Sequence, residues 1–598
     1  MFHVSNWIGA AARRLALMAL ALSVPLSVPL AAHAQDRSQD RAQRSATLAF
    51  EVDARQPGPT MNVDFIGNAT RLDTLLGVRN AAALAAMLAN PRTAPAADYF
   101  RTRYPHYQQF RVGNVFVGYE CTASDLDELV VRGPDGRPQY RFGQTLDMLQ
   151  LMLSAGIKPH LALTGTPRAL VPAGEAPLKH PNYGCVNAPP MDLSQGNVRE
   201  RMPEWWQLQD AFLAALIQRF GKAEVQSWTF ATWTEPWNPG RKLAHLVLPA
   251  DVVQAGRHDE GVATLVAASI DAAMKHDLRI RIGNLAGSVQ TEYPKLVAAI
   301  ARLPRGKSYL DYIDGYAISR YRTQGGSDIG RQLDAAFALL DNPAMPAKPL
   351  YLDEFGDLAG PDGAEPFQGA SGLDGARFAS VVLGRVFSRQ NGSARVPRGV
   401  AFWRDQIEPR PRNIFTQPQA HLKSAASHVT DFFASINGHA RLPARGPADQ
   451  VLAGQRDGRV KVLLLPDARD DGDAAQPQTR TLAVSGLRAG VSYEVTLSEV
   501  SRLRGNPISA FLGGSAGYRQ DAQGRFKSAG GRWALASPQS EACYYDENAS
   551  CAWREKAREI EAPLVRSSRI RVDGDGVLRT SMVVDEAGIV MVDVAPAR

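Results

Sequence analysis

The 598-residue sequence predicts an α/β fold, a (β/α)8 TIM barrel followed by a C-terminal β-sandwich-like domain. Two patterns carry this reading. From about residue 105, short apolar runs alternate with amphipathic stretches, the pattern of parallel strands joined by crossover helices. After residue 437 this gives way to short runs of period two separated by turn residues, with no long amphipathic helix between them, as in all-β modules.

The strand runs of the first part are 110–117 (FRVGNVFV), 158–163 (KPHLAL), 228–233 (WTFATW), 279–282 (RIRI), 313–318, 349–352 (PLYL) and 399–403 (GVAFW). Helical patterns lie between them, such as 205–220, with Phe212, Leu213, Leu216 and Ile217 on one face, and 262–274. Seven runs over about 300 residues fit an eight-stranded barrel with one strand unread better than a doubly wound sheet. Residues 47–53 (TLAFEVD) alternate as a strand and extend the barrel at its start, so the barrel domain spans 47–437 and the sandwich 438–598. Residues 502–550, glycine-rich and polar, read as long loops.

Residues 1–34 have the form of an export signal: Arg13 and Arg14, an apolar run at 15–30, then the small-residue site Ala32-His33-Ala34. Pro25 and Pro29 break that run, which is shorter than the ~20 apolar residues a membrane span needs. The reading is a cleaved signal, a polar linker at 35–46 and a secreted or periplasmic protein without a membrane span. An uncleaved N-terminal anchor is the alternative.

A composition of 45% hydrophobic and 21% charged residues is that of a globular protein and excludes a mainly disordered chain. The net charge of +7 comes from scattered arginines rather than a basic face interleaved with aromatics, so nucleic acid is not an expected partner. The 11 histidines form no HExxH and no i, i+4 pair, and neither a metal nor another cofactor is expected. His421 and His428, seven apart on an expected helix, read as a solvated or satisfied face. Residues 513–517 match G-x-S-x-G, but the following 518–527 are polar with Gly524 inside, so a loop is preferred to a nucleophile elbow. The four cysteines, Cys121, Cys185, Cys543 and Cys551, include no C-x-x-C pair. In an oxidising compartment Cys543 with Cys551 makes a local staple and Cys121 is left with Cys185, four separate thiols being the other reading.

Two glutamates stand out. Glu235 closes the run 228–234 and precedes Pro236, which ends the strand; Glu354 closes 349–353. Both fall at C-terminal ends of strands, where barrels place their chemistry, and 119 residues between them equals three strand-helix units of about 40 residues, so strands four and seven are expected. Glycosidic bond cleavage calls for such a pair, because the leaving oxygen must be protonated while a carboxylate faces an oxocarbenium-like transition state. Trp237, in a loop beside Glu235, is a candidate sugar-stacking ring, whereas Trp205 and Trp206 begin a helix and read as packing residues.

Here the sequence resembles glycoside hydrolase family 39, whose acid/base segment reads W-x-F-E-x-W-N-E-P. Trp228, Phe230, Trp233, Glu235 and Pro236 match it, with further matches in the approach through Gly221, Glu224 and Val225, in GIKPHLALTGTPRAL at 156–170, at Tyr321, in KPLYLDEF and at Trp403. The resemblance covers about 62–440 and implies a retaining barrel glycosidase without a cofactor. It implies Glu235 as acid/base, Glu354 as nucleophile, Tyr321 as a hydrogen-bond donor to the nucleophile, Arg111 behind it and Trp403 as a stacking wall. Thr234 stands where the family has an Asn that donates to the substrate, with a shorter hydroxyl still able to donate. Ser319 and Gly113 stand where His is usual. The expected function is cleavage of a xyloside-like oligosaccharide or a bacterial exopolysaccharide, the alternative being a carbohydrate-binding protein on a barrel whose chemistry has lapsed.

If the cysteines pair as read, thiol titration of denatured, unreduced protein will find no free thiol. Four free thiols would leave the cysteines as separate buried groups.

Overall fold

The computed structural model describes residues 47–597 with interruptions, the longer of them at 91–104, 172–178, 236–247, 358–372, 403–421, 467–476, 508–517 and 529–551. The signal, the linker, Trp237, Trp403, His421, Cys543, Cys551 and 513–517 lie outside the described residues.

Eight parallel strands close into a barrel: Asp64–Ala69, Gln109–Val112, Lys158–Ala162, Thr229–Ala231, Ile280–Leu285, Tyr316–Arg322, Leu350–Asp357 and Pro397–Phe402, called here the first to eighth barrel strands. Each pairs with its neighbours in the chain, and the eighth returns to the first through Gly399 to Asp64 and Val400 to Phe65. Helices follow the strands, among them Pro203–Phe220, His258–His276, Leu373–Ser388 and Ala425–Ile436. The strand missing from the sequence reading is the first, DFIGNA, whose apolar pattern is broken by Gly67 and Asn68. Gly67 is required there: a Cβ would lie 2.2 Å from the Phe110 ring, which fills the adjacent space.

The seventh strand is irregular at the point that matters most. Ile318 of the sixth strand opposes Leu352, and the next residue, Ser319, opposes Glu354, so Asp353 is an extra residue in the ladder. Such a bulge re-aims side chains. Here Asp353 and Glu354, consecutive in sequence, both face Arg111, the first at 4.0 Å and the second at 2.7 Å.

The second module is a sandwich of a six-stranded and a four-stranded sheet. Leu48–Asp53 lies inside the smaller sheet, parallel to Pro477–Ser485 and antiparallel to Ala444–Arg445. This corrects the placement of 47–53 with the barrel: the alternating strand buries Phe50 and Val52 among Leu482, Val484, Val462 and Val592 of the sandwich core. A helix, Ala552–Glu561, also stands where none was read; its sequence AWREKAREIE is strongly charged, so it carries little apolar signal, and Ala557 is fully buried. Within 502–550, read as loops, Tyr518–Gln520 pairs with Phe526–Ser528 as a short hairpin.

Barrel and sandwich share apolar packing. Leu452, Leu463, Leu465, Val500 and Ile589 join the same core as Phe387, Phe433 and Ile436 of the last two barrel helices. Trp205 and Trp206 are packing residues as expected, buried in that core.

Phe50→Ala should destabilise the protein by about 3–5 kcal/mol, since it opens a cavity in a core that the N-terminal strand completes. Chemical denaturation monitored by tryptophan fluorescence reads this directly, and a loss below about 1 kcal/mol would mean the strand is dispensable.

Candidate active site

Arg111, on the second barrel strand, is fully buried. Its Nη1 donates to Glu354 Oε1 at 2.7 Å and to Asn68 Oδ1 at 3.2 Å, and its Nη2 donates to Thr234 Oγ1 at 3.0 Å. One guanidinium therefore links side chains from the first and seventh strands and from the segment after the fourth. The other carboxylate oxygen, Glu354 Oε2, accepts from the Tyr321 hydroxyl at 2.6 Å. A cationic and a neutral donor, one on each oxygen, fit an ionised carboxylate, which accepts on both oxygens and donates on neither.

Glu235 follows the fourth strand and is half-buried. It adopts φ 49°, one of four non-glycine residues with positive φ among the described residues. A left-handed residue of this kind costs on the order of 1–3 kcal/mol and persists only when its surroundings impose it. Two contacts do so. The Thr234 amide donates to Thr164 Oγ1 at 2.8 Å, and Gly283 of the fifth strand donates to Thr232 Oγ1 at 2.7 Å. A Cβ at Gly283 would lie 2.1 Å from the Trp233 carbonyl oxygen, so glycine is what lets the fifth strand approach the turn that carries Glu235.

Thr234 plays a different part from the one its position implied. Its hydroxyl donates to Gly113 O at 2.8 Å and accepts from Arg111 Nη2 and, at 3.2 Å, from Thr164 Oγ1. The single proton is engaged within the protein, so Thr234 braces Arg111 instead of donating to a ligand. Ser319 is also buried, in the sixth strand, and its carbonyl accepts from Arg320 Nη1 at 2.6 Å. Burial pushes the Arg320 guanidinium down to about 10, against the attraction of Glu292, Tyr293 and Glu235.

Behind Glu354 lies a second charged layer. Asp353, fully buried, meets Arg281 Nη1 at 3.2 Å and His160 Nε2 at 3.5 Å. Burial, followed by the charges of Arg281 and Arg111, holds the His160 imidazole well below its ordinary value, so it is neutral at pH 7. Burial works against the charge of Arg111 itself, but Glu354 and Asp353 overcome it and raise that guanidinium above its ordinary value. Burial pushes the Asp353 carboxyl upward, against the pull of Arg281 and Arg111.

This barrel and rim can be compared with known proteins. The sequence profile of glycosyl hydrolases family 39 matches residues 106–239, the part that holds Arg111, Thr234 and Glu235. The chain is related to family 39. A β-xylosidase of Caldicellulosiruptor saccharolyticus is 26% identical over 185 residues, 31% of this chain and 33% of that protein, so the match spans about a third of that curated relative. Among solved structures, the family 39 enzyme from Xanthomonas axonopodis pv. citri superposes over 93% of this chain and 99% of its own, at 17% identity and a TM-score of 0.60. A bacterial orthologue of human α-L-iduronidase does so over 92% of this chain and 84% of its own, at 15% identity and a TM-score of 0.58. At such identities these two likenesses concern the fold.

In this family 39 relative the structure brings Arg111, Thr234, Tyr321 and Glu354 into one connected group, with Glu235 one residue beyond Thr234. Sequence reasoning missed Asn68, Thr164, His160, Arg281 and Asp353. A charged residue inside a short apolar run, as in RIRI and PLYLDE, was the available signal for the last two.

The depressed His160 value fixes a stability trend. The unfolded imidazole, at about 6.5, binds a proton more readily than the folded one, so its contribution is complete above about pH 6.5 and is lost as pH falls below it. The melting temperature should drop between about pH 7.5 and about pH 5.5, and His160→Gln should shrink that drop. An unchanged drop in the variant would assign the acid sensitivity to other groups.

Proposed function

We propose that the protein is an exported retaining glycoside hydrolase, with Glu354 as nucleophile and Glu235 as acid/base. The observation that carries this is the clamp on Glu354, with Arg111 on one oxygen and Tyr321 on the other. The clamp orients a carboxylate while leaving it to attack the anomeric carbon. Glu235, at the end of the fourth strand, would protonate the leaving oxygen and later deprotonate the water that releases the sugar. The substrate class is a xyloside-like oligosaccharide or a bacterial exopolysaccharide, on the strength of the named relatives and of the export signal at 1–34. Arg111 acts through Glu354, and Thr234 through Arg111. Trp237 is proposed as a stacking ring because it follows Glu235 closely in the sequence, and Trp403 on the strength of the family resemblance. Pairing of Cys121 with Cys185 is supported by the packing of the turn Tyr119–Cys121 against the strand Gly184–Cys185.

The two roles separate by experiment. With an aryl glycoside that the unmodified protein cleaves, Glu354→Ala should abolish turnover, whereas Glu235→Ala should keep activity on substrates with acidic leaving groups. Azide should rescue Glu235→Ala with a glycosyl azide of the substrate's own configuration and Glu354→Ala with the opposite anomer. Proton NMR of the first-formed product of the unmodified protein should show retention, as expected for carboxyl groups about 5–5.5 Å apart. Wild-type rates in both variants would discard this pair, and glycan binding without turnover would favour the lapsed-barrel reading.

A further inference from the structure

Two guanidinium groups, two carboxylates and an imidazole meet inside the barrel behind the attacking atoms of Glu354, a place that barrels usually fill with branched apolar side chains. Arg111, His160 and Asp353 are fully buried and Arg281 nearly so. Asp353 is the centre of the group. One of its oxygens meets Arg281 at 3.2 Å, and the other meets His160 Nε2 at 3.5 Å and Arg111 Nε at 4.0 Å. Its backbone carbonyl accepts from Asn68 Nδ2 at 3.0 Å, and Asn68 in turn accepts from Arg111 Nη1.

The layer is also fixed from below. The Arg281 guanidinium carbon sits 3.4 Å from the centre of the Tyr351 ring. That ring is wedged between Gly315 and Gly399, where a Cβ would come within 2.6 Å of it on either side. Arg281 therefore has little freedom, and neither does the carboxylate it holds.

We propose that Asp353 is a positioning residue: held by Arg281 and lying beside His160, its carboxylate faces the Nε edge of Arg111 across an ionic contact of 4.0 Å and so keeps Nη1 on Glu354. This rests on Glu354 being the nucleophile. The bulge is what makes the arrangement possible, because it lets consecutive residues of one strand address opposite edges of the same guanidinium. The layer is balanced, with Arg111 and Arg281 against Asp353 and Glu354. A buried cation without its partner is costly, which explains why a second carboxylate accompanies the first.

The test is Asp353→Asn, which keeps the shape and removes one negative charge. The groups facing that charge are Arg111, Arg281, Glu354, Asp314, His160 and Tyr293. With Asn in place, the surplus positive charge favours the Glu354 anion, so the acidic limb of the pH–rate profile should move to lower pH by about half a unit or more. Loss of the anchor should lower kcat by between about tenfold and a hundredfold with little change in KM. Melting temperatures are measured on the same samples. A variant that melts lower but keeps the parent's kcat and acidic limb would make Asp353 merely structural and overturn the proposal.

If Asp353→Asn does not fold, the double variant Asp353→Asn, Arg281→Gln removes both charges together. It should keep the acidic limb near its parent position and still lose kcat by at least about tenfold. A parent kcat in the double variant would also overturn the proposal. Failure of the underlying reading looks different. The probe is 4-nitrophenyl β-xyloside first, then other 4-nitrophenyl glycosides, and peptide mapping after inactivation by the matching 2-deoxy-2-fluoro glycoside must place the label on Glu354. A label elsewhere, or no hydrolysis by the unmodified protein, overturns the nucleophile assignment and this inference with it. A label on Glu354 with an unmoved profile overturns the inference alone.

Discussion

The buried guanidinium of Arg111 is the constraint on which the rest of the rim depends. It cannot be solvated inside the barrel, and its Nη groups find acceptors on the elements that surround it, on the first strand, on the seventh and after the fourth. Each partner is thereby fixed relative to the others. Breaking one partner of such a buried ionic group costs about 3–5 kcal/mol, far more than a surface ion pair, so the arrangement has one geometry to occupy. A retaining glycosidase needs that kind of fixity, because the distance between its two carboxyl groups decides whether a sugar is attacked by the protein or by water.

Thr234 shows how this constraint redirects a residue. A hydroxyl at that position has one proton, and the carbonyl of Gly113 takes it while Arg111 and Thr164 donate to the oxygen. With a longer carboxamide one donor would remain for a ligand; with threonine none does. Thr234 is thus committed to the protein, bracing the guanidinium that meets Glu354.

Much of the fold was legible because its elements have strong periods. Seven of the eight barrel strands read as apolar runs, and the spacing of Glu235 and Glu354 placed them on the fourth and seventh strands. The first strand was not legible, since Gly67 serves the packing of Phe110 and Asn68 serves Arg111, and neither leaves an apolar trace. The strand Leu48–Asp53 was read correctly as a strand but given to the wrong module, because alternation reports one buried face and says nothing of which sheet buries it. The layer of Asp353, Arg281 and His160 was invisible for a related reason. A charged residue within a short strand reads as a surface position until barrel closure turns its face inward.

Both glutamates stand where regular backbone geometry is broken. Glu354 follows an extra residue in the seventh strand, and Glu235 takes a left-handed conformation after the fourth. A regular ladder alternates its side chains, so it would send two consecutive residues to opposite faces and could not set both Asp353 and Glu354 against Arg111. A regular exit from the fourth strand would likewise carry Glu235 on along the strand axis. Each irregularity is held by hydrogen bonds to threonine or arginine side chains and made possible by a glycine or a gap in the ladder. The surrounding barrel is packed with buried apolar side chains. That division lets the scaffold bear a local strain on the order of 1–3 kcal/mol at the rim without losing its register.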